Sequence, residues 1–123
     1  MIEIKENSEK CGSGFDTLHS FEGWKIAFIS YASQYGDLSV LKRHLKTDEA
    51  FLLINGEAVL YFSDDGEKTK KLLLEKEKLY VVKRGTWHHL KLSLDGLLLA
   101  VENSDTTKEN TETKNFNEKA VVK

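Results

Sequence analysis

The 123-residue chain contains no proline, one cysteine and one methionine, and it has no long apolar run. Without proline no corner can borrow its fixed φ, so turns fall to glycine, aspartate and asparagine. A lone Cys11 excludes an internal disulfide and agrees with a reducing compartment; it reads as a free thiol in a flexible segment. The longest apolar stretch, LLLAV at 97–101, is far short of the roughly 20 residues that span a bilayer. The N-terminal MIEIKENSEK is too polar for a signal peptide, so a cytoplasmic location is expected, with no membrane partner. A strong charge bias is also missing: 18 basic against 20 acidic residues leave a formal charge of -2, and no overall field favours nucleic acid.

What is present is a middle dense in apolar residues, and with 40% hydrophobic residues overall the chain can bury one modest core. WKIAFISY sets Trp24, Ile26 and Phe28 against Ala27 and Ile29 and predicts a mostly buried strand. EAFLLINGEAVLYF holds two alternating runs around Asn55-Gly56, the dipeptide of a two-residue type I′ hairpin. SDDGEK and LDG mark further turns, flanked by KKLLLEKEKLYVV and LLLAVEN. EKTKKLLLEKEKLY has good helix formers, but its leucines come as a block, which favours a strand. Strands and turns every 8 to 12 residues predict an all-β sandwich or closed barrel and leave no room for crossover helices. The expected division is a leader over 1–22 packing on or beside the barrel, a barrel over 23–105, and a polar, mobile tail over 106–123. Trp24, Phe28, Phe51 and Tyr61 read as core, and Lys42, Arg43 and Lys83 as rim charges.

Chemistry concentrates in two stretches. In KRGTWHHL, alternation puts His88 on the face of Leu90 and Leu92, and His89 outward with Trp87 and Lys91. An inward imidazole needs a hydrogen bond or a metal to satisfy it. In RHLKTDEAF, His44 and Glu49 are five apart, so they can converge only if a turn at LKTD separates their strands. Two imidazoles and one carboxylate meeting inside a barrel would suit a divalent metal with open positions.

RHLKTDEAFLLINGEA resembles the first cupin motif, in which two histidines one residue apart precede a glutamate and then a glycine seven further on; Glu49 and Gly56 keep that spacing. KRGTWHHL resembles the second, with Gly85 and His88 three apart. Together the motifs span about residues 38–103. Lys42 replaces the first motif histidine, Lys83 the usual proline and Leu92 the usual asparagine, so three of four usual metal ligands remain: His44, Glu49 and His88. A narrower likeness, RHLKTDEAF with GTWHHLKLSLDGLLLAVEN, is similar to parts of ureidoglycolate lyase, a cupin-fold enzyme of purine breakdown.

The resemblance implies an antiparallel jelly-roll β-barrel with its site inside, and a homodimer. It implies a zinc, iron, manganese or nickel ion on His44, Glu49 and His88, or otherwise no cofactor. The leading expectation is a barrel binding a small polar or carboxylated molecule through Lys42, His44, Glu49 and His88. It would convert that molecule by lyase, isomerase or oxygenase chemistry with Glu49 and His88 as catalytic groups. The alternatives are a non-catalytic metabolite-binding module, a ureidoglycolate-lyase-like enzyme, and an interaction protein with a vestigial pocket.

Overall fold

The computed structural model describes residues 1–7, 13–116 and the backbone of 121–122. Cys11 lies outside the described residues. Eleven strands run β1 (Phe15–Phe21), β2 (Trp24–Ser30), β3 (Val40–His44), β4 (Glu49–Asn55), β5 (Ala58–Ser63), β6 (Thr69–Leu73), β7 (Leu79–Val82), β8 (Trp87–Leu92), β9 (Leu97–Asn103), β10 (Thr111–Asn115) and β11 (Val121–Val122). Among the described residues one short 3₁₀ turn, Ser33–Tyr35, links β2 to β3.

The strands form two facing sheets, ordered β1-β2-β9-β4-β7 and β10-β3-β8-β5-β6-β11, and every pair but β11 with β6 is antiparallel. From β3 to β5 the chain crosses from one sheet to the other at each turn, and again from β6 to β10. This is the antiparallel jelly-roll barrel that the motifs imply. No helix of the described residues is long and apolar enough to cross a membrane.

Both sheets contribute alternate residues to one core: Ile29, Phe51, Leu53 and Leu98 from the first face Leu60, Leu90 and Leu92 from the second. Fully burying such a side chain contributes about 1.5–3 kcal/mol, so this layer is the main bond between the sheets. The KKLLLEKEKLYVV stretch is strand and not helix, as its blocked leucines predict, but it is split into β6 and β7 with a turn between them.

Three expectations are corrected. Asn55-Gly56 does not close a hairpin: β4 pairs with β7 and β9, while β5 pairs with β6 and β8. The dipeptide turns the chain from one sheet to the other, with Gly56 at φ +70°. The alternation reads the same in both cases, because Phe51 and Leu60 bury their side chains whether side by side or face to face. Trp24 is not core. The inner face of β2 is that of Ala27 and Ile29, each 1% exposed, and Trp24 lies outside against His19 and Phe21. Both faces of that strand are apolar, so parity alone could not choose. Trp87, expected outside, is buried in a second small cluster with Leu38 and Leu41 on the outer face of the six-stranded sheet.

Two strands lie outside the 23–105 span. β1 comes from the leader and pairs with β2; β10 comes from the polar segment after Thr106 and pairs with β3 from Thr111↔His44 to Asn115↔Val40.

Candidate metal centre

The two motif turns are tied to each other, which sets where their side chains point. Asp48 accepts hydrogen bonds from Lys83 Nζ at 2.6 Å and from the Arg84 backbone N–H at 2.8 Å. These contacts hold the Asp48 carboxyl below its ordinary range, the Lys83 bond foremost. The Gly85 N–H donates to the His44 carbonyl at 2.7 Å, and Gly85 sits at φ +81°, a conformation that favours glycine. The register beyond it is regular: Phe62 faces His88 and Leu60 faces Leu90 across β5 and β8.

His44 ends β3 and Glu49 opens β4, with the turn at 45–48 between them as their spacing requires. His44 Nε2 lies 3.5 Å from Glu49 Oε1, and His88 Nε2 lies 3.7 Å from the same oxygen. The three ligand atoms all fall within 4.8 Å of one another, and Glu49 and His88 are 6% and 8% exposed. Ligands about 2.1 Å from a tetrahedral ion stand roughly 3.4 Å apart; the two spacings to Glu49 are close to this, and the widest separation in the triad would have to shorten around one divalent ion.

The outer nitrogens of both rings are already committed. The His88 Nδ1–H donates to the Thr86 carbonyl at 3.0 Å. Thr111 gives its hydroxyl proton to the Thr107 carbonyl at 2.7 Å, which leaves its oxygen to accept from His44 Nδ1–H at 2.9 Å. Both Nε2 atoms therefore face one Glu49 oxygen, where each ring can donate a proton or, without that proton, offer a lone pair. Three ligand atoms around one point suit one metal ion in place of the ring protons. Orienting a ligating histidine through its other N–H is how protein metal sites are commonly built.

Two residues that sequence reasoning missed extend the site. Glu102 on β9 stands directly opposite both Glu49 and Lys25 in the ladder, so all three point inward as one row. Lys25 Nζ is 3.0 Å from Glu102 Oε1. Burial and the neighbouring Glu49 carboxylate push Glu102 up to about 7, against the pull of Lys25. Burial also works to raise Glu49, but hydrogen bonds with His44, His88 and Glu102 overcome it and hold that carboxyl well below its ordinary range. The signal was available: Glu102 shares the parity of Leu98 and Ala100, both 0% exposed.

The triad lies in the wall of a cavity of about 820 Å³. Lys42 is opposite His88 in the ladder, lines this cavity, and forms no hydrogen bond or ion pair with a described residue. Thr106, Thr107, Thr111 and Thr113 border the same space. Arg43 instead stacks on Trp87, 4.6 Å from the ring, and pairs with Glu112. His89 points its ring away from the triad, donating Nε2–H to the Gly36 carbonyl at 2.8 Å, though part of it forms cavity wall. Burial holds its pKa below the ordinary histidine value, opposed by that hydrogen bond.

No protein-family model and no curated protein matches the sequence. Solved structures do match in fold. A cupin superfamily protein from Desulfitobacterium hafniense is 24% identical over 85% of this chain and 84% of its own, with a TM-score of 0.57. A cupin-2 domain protein from Shewanella frigidimarina is 14% identical over 72% of this chain and 78% of its own, with a TM-score of 0.52. A structure of Fe(II)-HppE with the alternative substrate (S)-1-HPP is 16% identical over 71% of this chain, with a TM-score of 0.59; the chain spans 47% of that protein. The chain has the fold of the cupin superfamily.

Proposed function

We propose that this barrel binds a divalent metal through His44, Glu49 and His88, and a small carboxylated metabolite in the cavity beside it. The observation that carries the reading is the pair of Nε2 atoms that converge on one Glu49 oxygen, 3.5 and 3.7 Å away. Three protein ligands leave positions open for substrate or water, and zinc, iron, manganese or nickel all accept such a set. That Fe(II)-HppE shares the fold supports iron among these. A metal bound there would supply Lewis acidity to a carbonyl or carboxylate oxygen.

The chain's own groups do the rest. Lys42, which faces the cavity from the place of a family histidine and has no ion-pair partner among the described residues, receives the carboxylate. Thr107 and Thr113, which border the cavity, meet the remaining polar atoms of the metabolite. Glu49 and His88 hold the reacting end, and Glu102 keeps a proton near neutral pH within reach of Glu49. A lyase or isomerase step needs that combination of an electrophilic centre and a nearby proton carrier.

The test is native mass spectrometry with elemental analysis on protein purified without added metal. One divalent ion per chain, together with an acidic small molecule lost in Lys42→Met, is the expected result. Protein that carries neither, and takes up neither from a metal-supplemented metabolite extract, would overturn the proposal.

A further inference from the structure

We propose, building on the carboxylate site above, that its occupant carries a single anionic head on an apolar body about the size of one aromatic ring, and that Phe15 and Tyr35 select for that body. The two motif strands change character one step from the metal ligands. Phe51 lies two residues beyond Glu49 on β4, and Leu90 two beyond His88 on β8, so each points into the same interior about 7 Å further along. Both line the cavity, together with Ile29. Phe15 stands opposite Ile29 in the β1–β2 ladder, and Tyr35 comes from the 3₁₀ turn; both pack against the core cluster and border the cavity. Phe51 and Ile29 are 2% and 1% exposed, whereas Phe15 and Tyr35 are only partly buried, so their rings still have surface to cover.

The cavity is thus divided. One end holds the triad, Glu102 and Lys42; Lys108 belongs to this end too, since its carbonyl accepts from the N–H of Thr111, whose hydroxyl reaches His44. The other end is formed mainly by the aromatic and aliphatic groups just named. The two ends adjoin: Lys25 Nζ is 3.0 Å from Glu102 Oε1 and 6.0 Å from the centre of the Phe15 ring. An anion fixed beside the triad therefore sets the rest of its molecule against Phe15 and Tyr35. The space, about 820 Å³, is within the range of about 300–1,000 Å³ that encloses ligands of drug size, and an acid without a body leaves most of it unfilled. A second charged group against Phe15 and Phe51 would lose its water for little in return, and Gln34 at that end already gives its amide to the Ser13 carbonyl. An apolar body instead sheds water together with the rings it covers.

Calorimetric titration of the zinc-loaded full chain with butanoate, hexanoate, 3-phenylpropanoate and glutarate tests this. Each buried methylene is worth about fourfold in affinity, so hexanoate is expected to bind at least roughly tenfold tighter than butanoate. The phenyl acid should bind tighter still, and glutarate no tighter than butanoate. Phe15→Ser and Tyr35→Ser are each expected to cut the ratio of hexanoate to butanoate affinity below about threefold, while one zinc still binds per chain. If Phe15→Ser fails to fold, Tyr35→Ser decides alone. Zinc uptake with affinities that ignore chain length, glutarate as the tightest ligand, or unchanged ratios in both variants would overturn the proposal and leave the metal centre standing. So would failure of all four acids to bind. A chain that takes up no zinc contradicts the metal reading instead; the same ratios are then expected of the metal-free chain, with the acids held through Lys42, and their absence there overturns the proposal equally.

Discussion

His88 and His89 are adjacent in sequence, yet a strand's two-residue period gives them different chemistry. His88 is fixed by the Thr86 carbonyl with its second nitrogen toward Glu49, while His89 is spent on the Gly36 carbonyl. Parity with Leu90 and Leu92 was enough to read this from sequence. Glu102 was not read, because it closes an apolar strand where a charge looks like the start of a loop. Its effect on stability has a definite sign. The folded protein keeps the Glu102 proton up to about 7, whereas the unfolded chain releases it near the ordinary 4.5. Metal-free protein therefore loses stability as pH rises from 4.5 through about 7. Glu49, held low, acts in the opposite sense below that window. Thermal melts of wild type and Glu102→Gln in chelator are expected to diverge across it, with the wild-type midpoint falling relative to the variant as pH rises. Parallel curves would contradict the buried carboxyl pair.

Which runs become strands was legible from alternation and turn residues; which strands pair was not. The Asn55-Gly56 corner shows why. Local chemistry specifies a tight turn, but its surroundings are supplied by the β8–β9 connection, where Ser93 Oγ accepts from the Glu57 N–H and the Asp95 carbonyl accepts from the Asn55 amide. A Cβ on Gly56 would stand 2.7 Å from both Ser93 Oγ and Asp95 Oδ1. Gly56→Ala is expected to cost about 1–2 kcal/mol for the left-handed backbone alone. With the clash added, the melting midpoint should fall by about 5–10 °C; a neutral result would contradict this corner. The strand after Thr106 was not legible for another reason. Its composition lacks apolar surface, but a strand can add to a sheet edge through backbone hydrogen bonds, and β10 does so against β3. Thr111 then reaches His44. Hydrogen exchange is expected to be slower over residues 111–115 than over 105–109; equal, fast exchange in both would contradict the pairing.

The barrel as a whole brings together residues that lie far apart along the chain: Lys25, Lys42, His44, Glu49, His88 and Glu102 all border one cavity. A fold of this type hosts many reactions, so function rests on the site and not on the architecture. Cupin spacing made His44, Glu49 and His88 readable in advance, whereas the Lys25–Glu102 pair exists only through strand order. Metal that binds the folded barrel alone should stabilise it by about 2.7 kcal/mol at a concentration one hundred times its Kd. The most direct measurement is calorimetric titration of chelator-stripped protein with zinc, comparing wild type, His88→Ala and His89→Ala. The expected result is one ion per chain for wild type, affinity weakened at least about 100-fold in His88→Ala, and a change below about tenfold, roughly 1.4 kcal/mol, in His89→Ala. Equal affinity in wild type and His88→Ala, or a loss confined to His89→Ala, would contradict the metal centre.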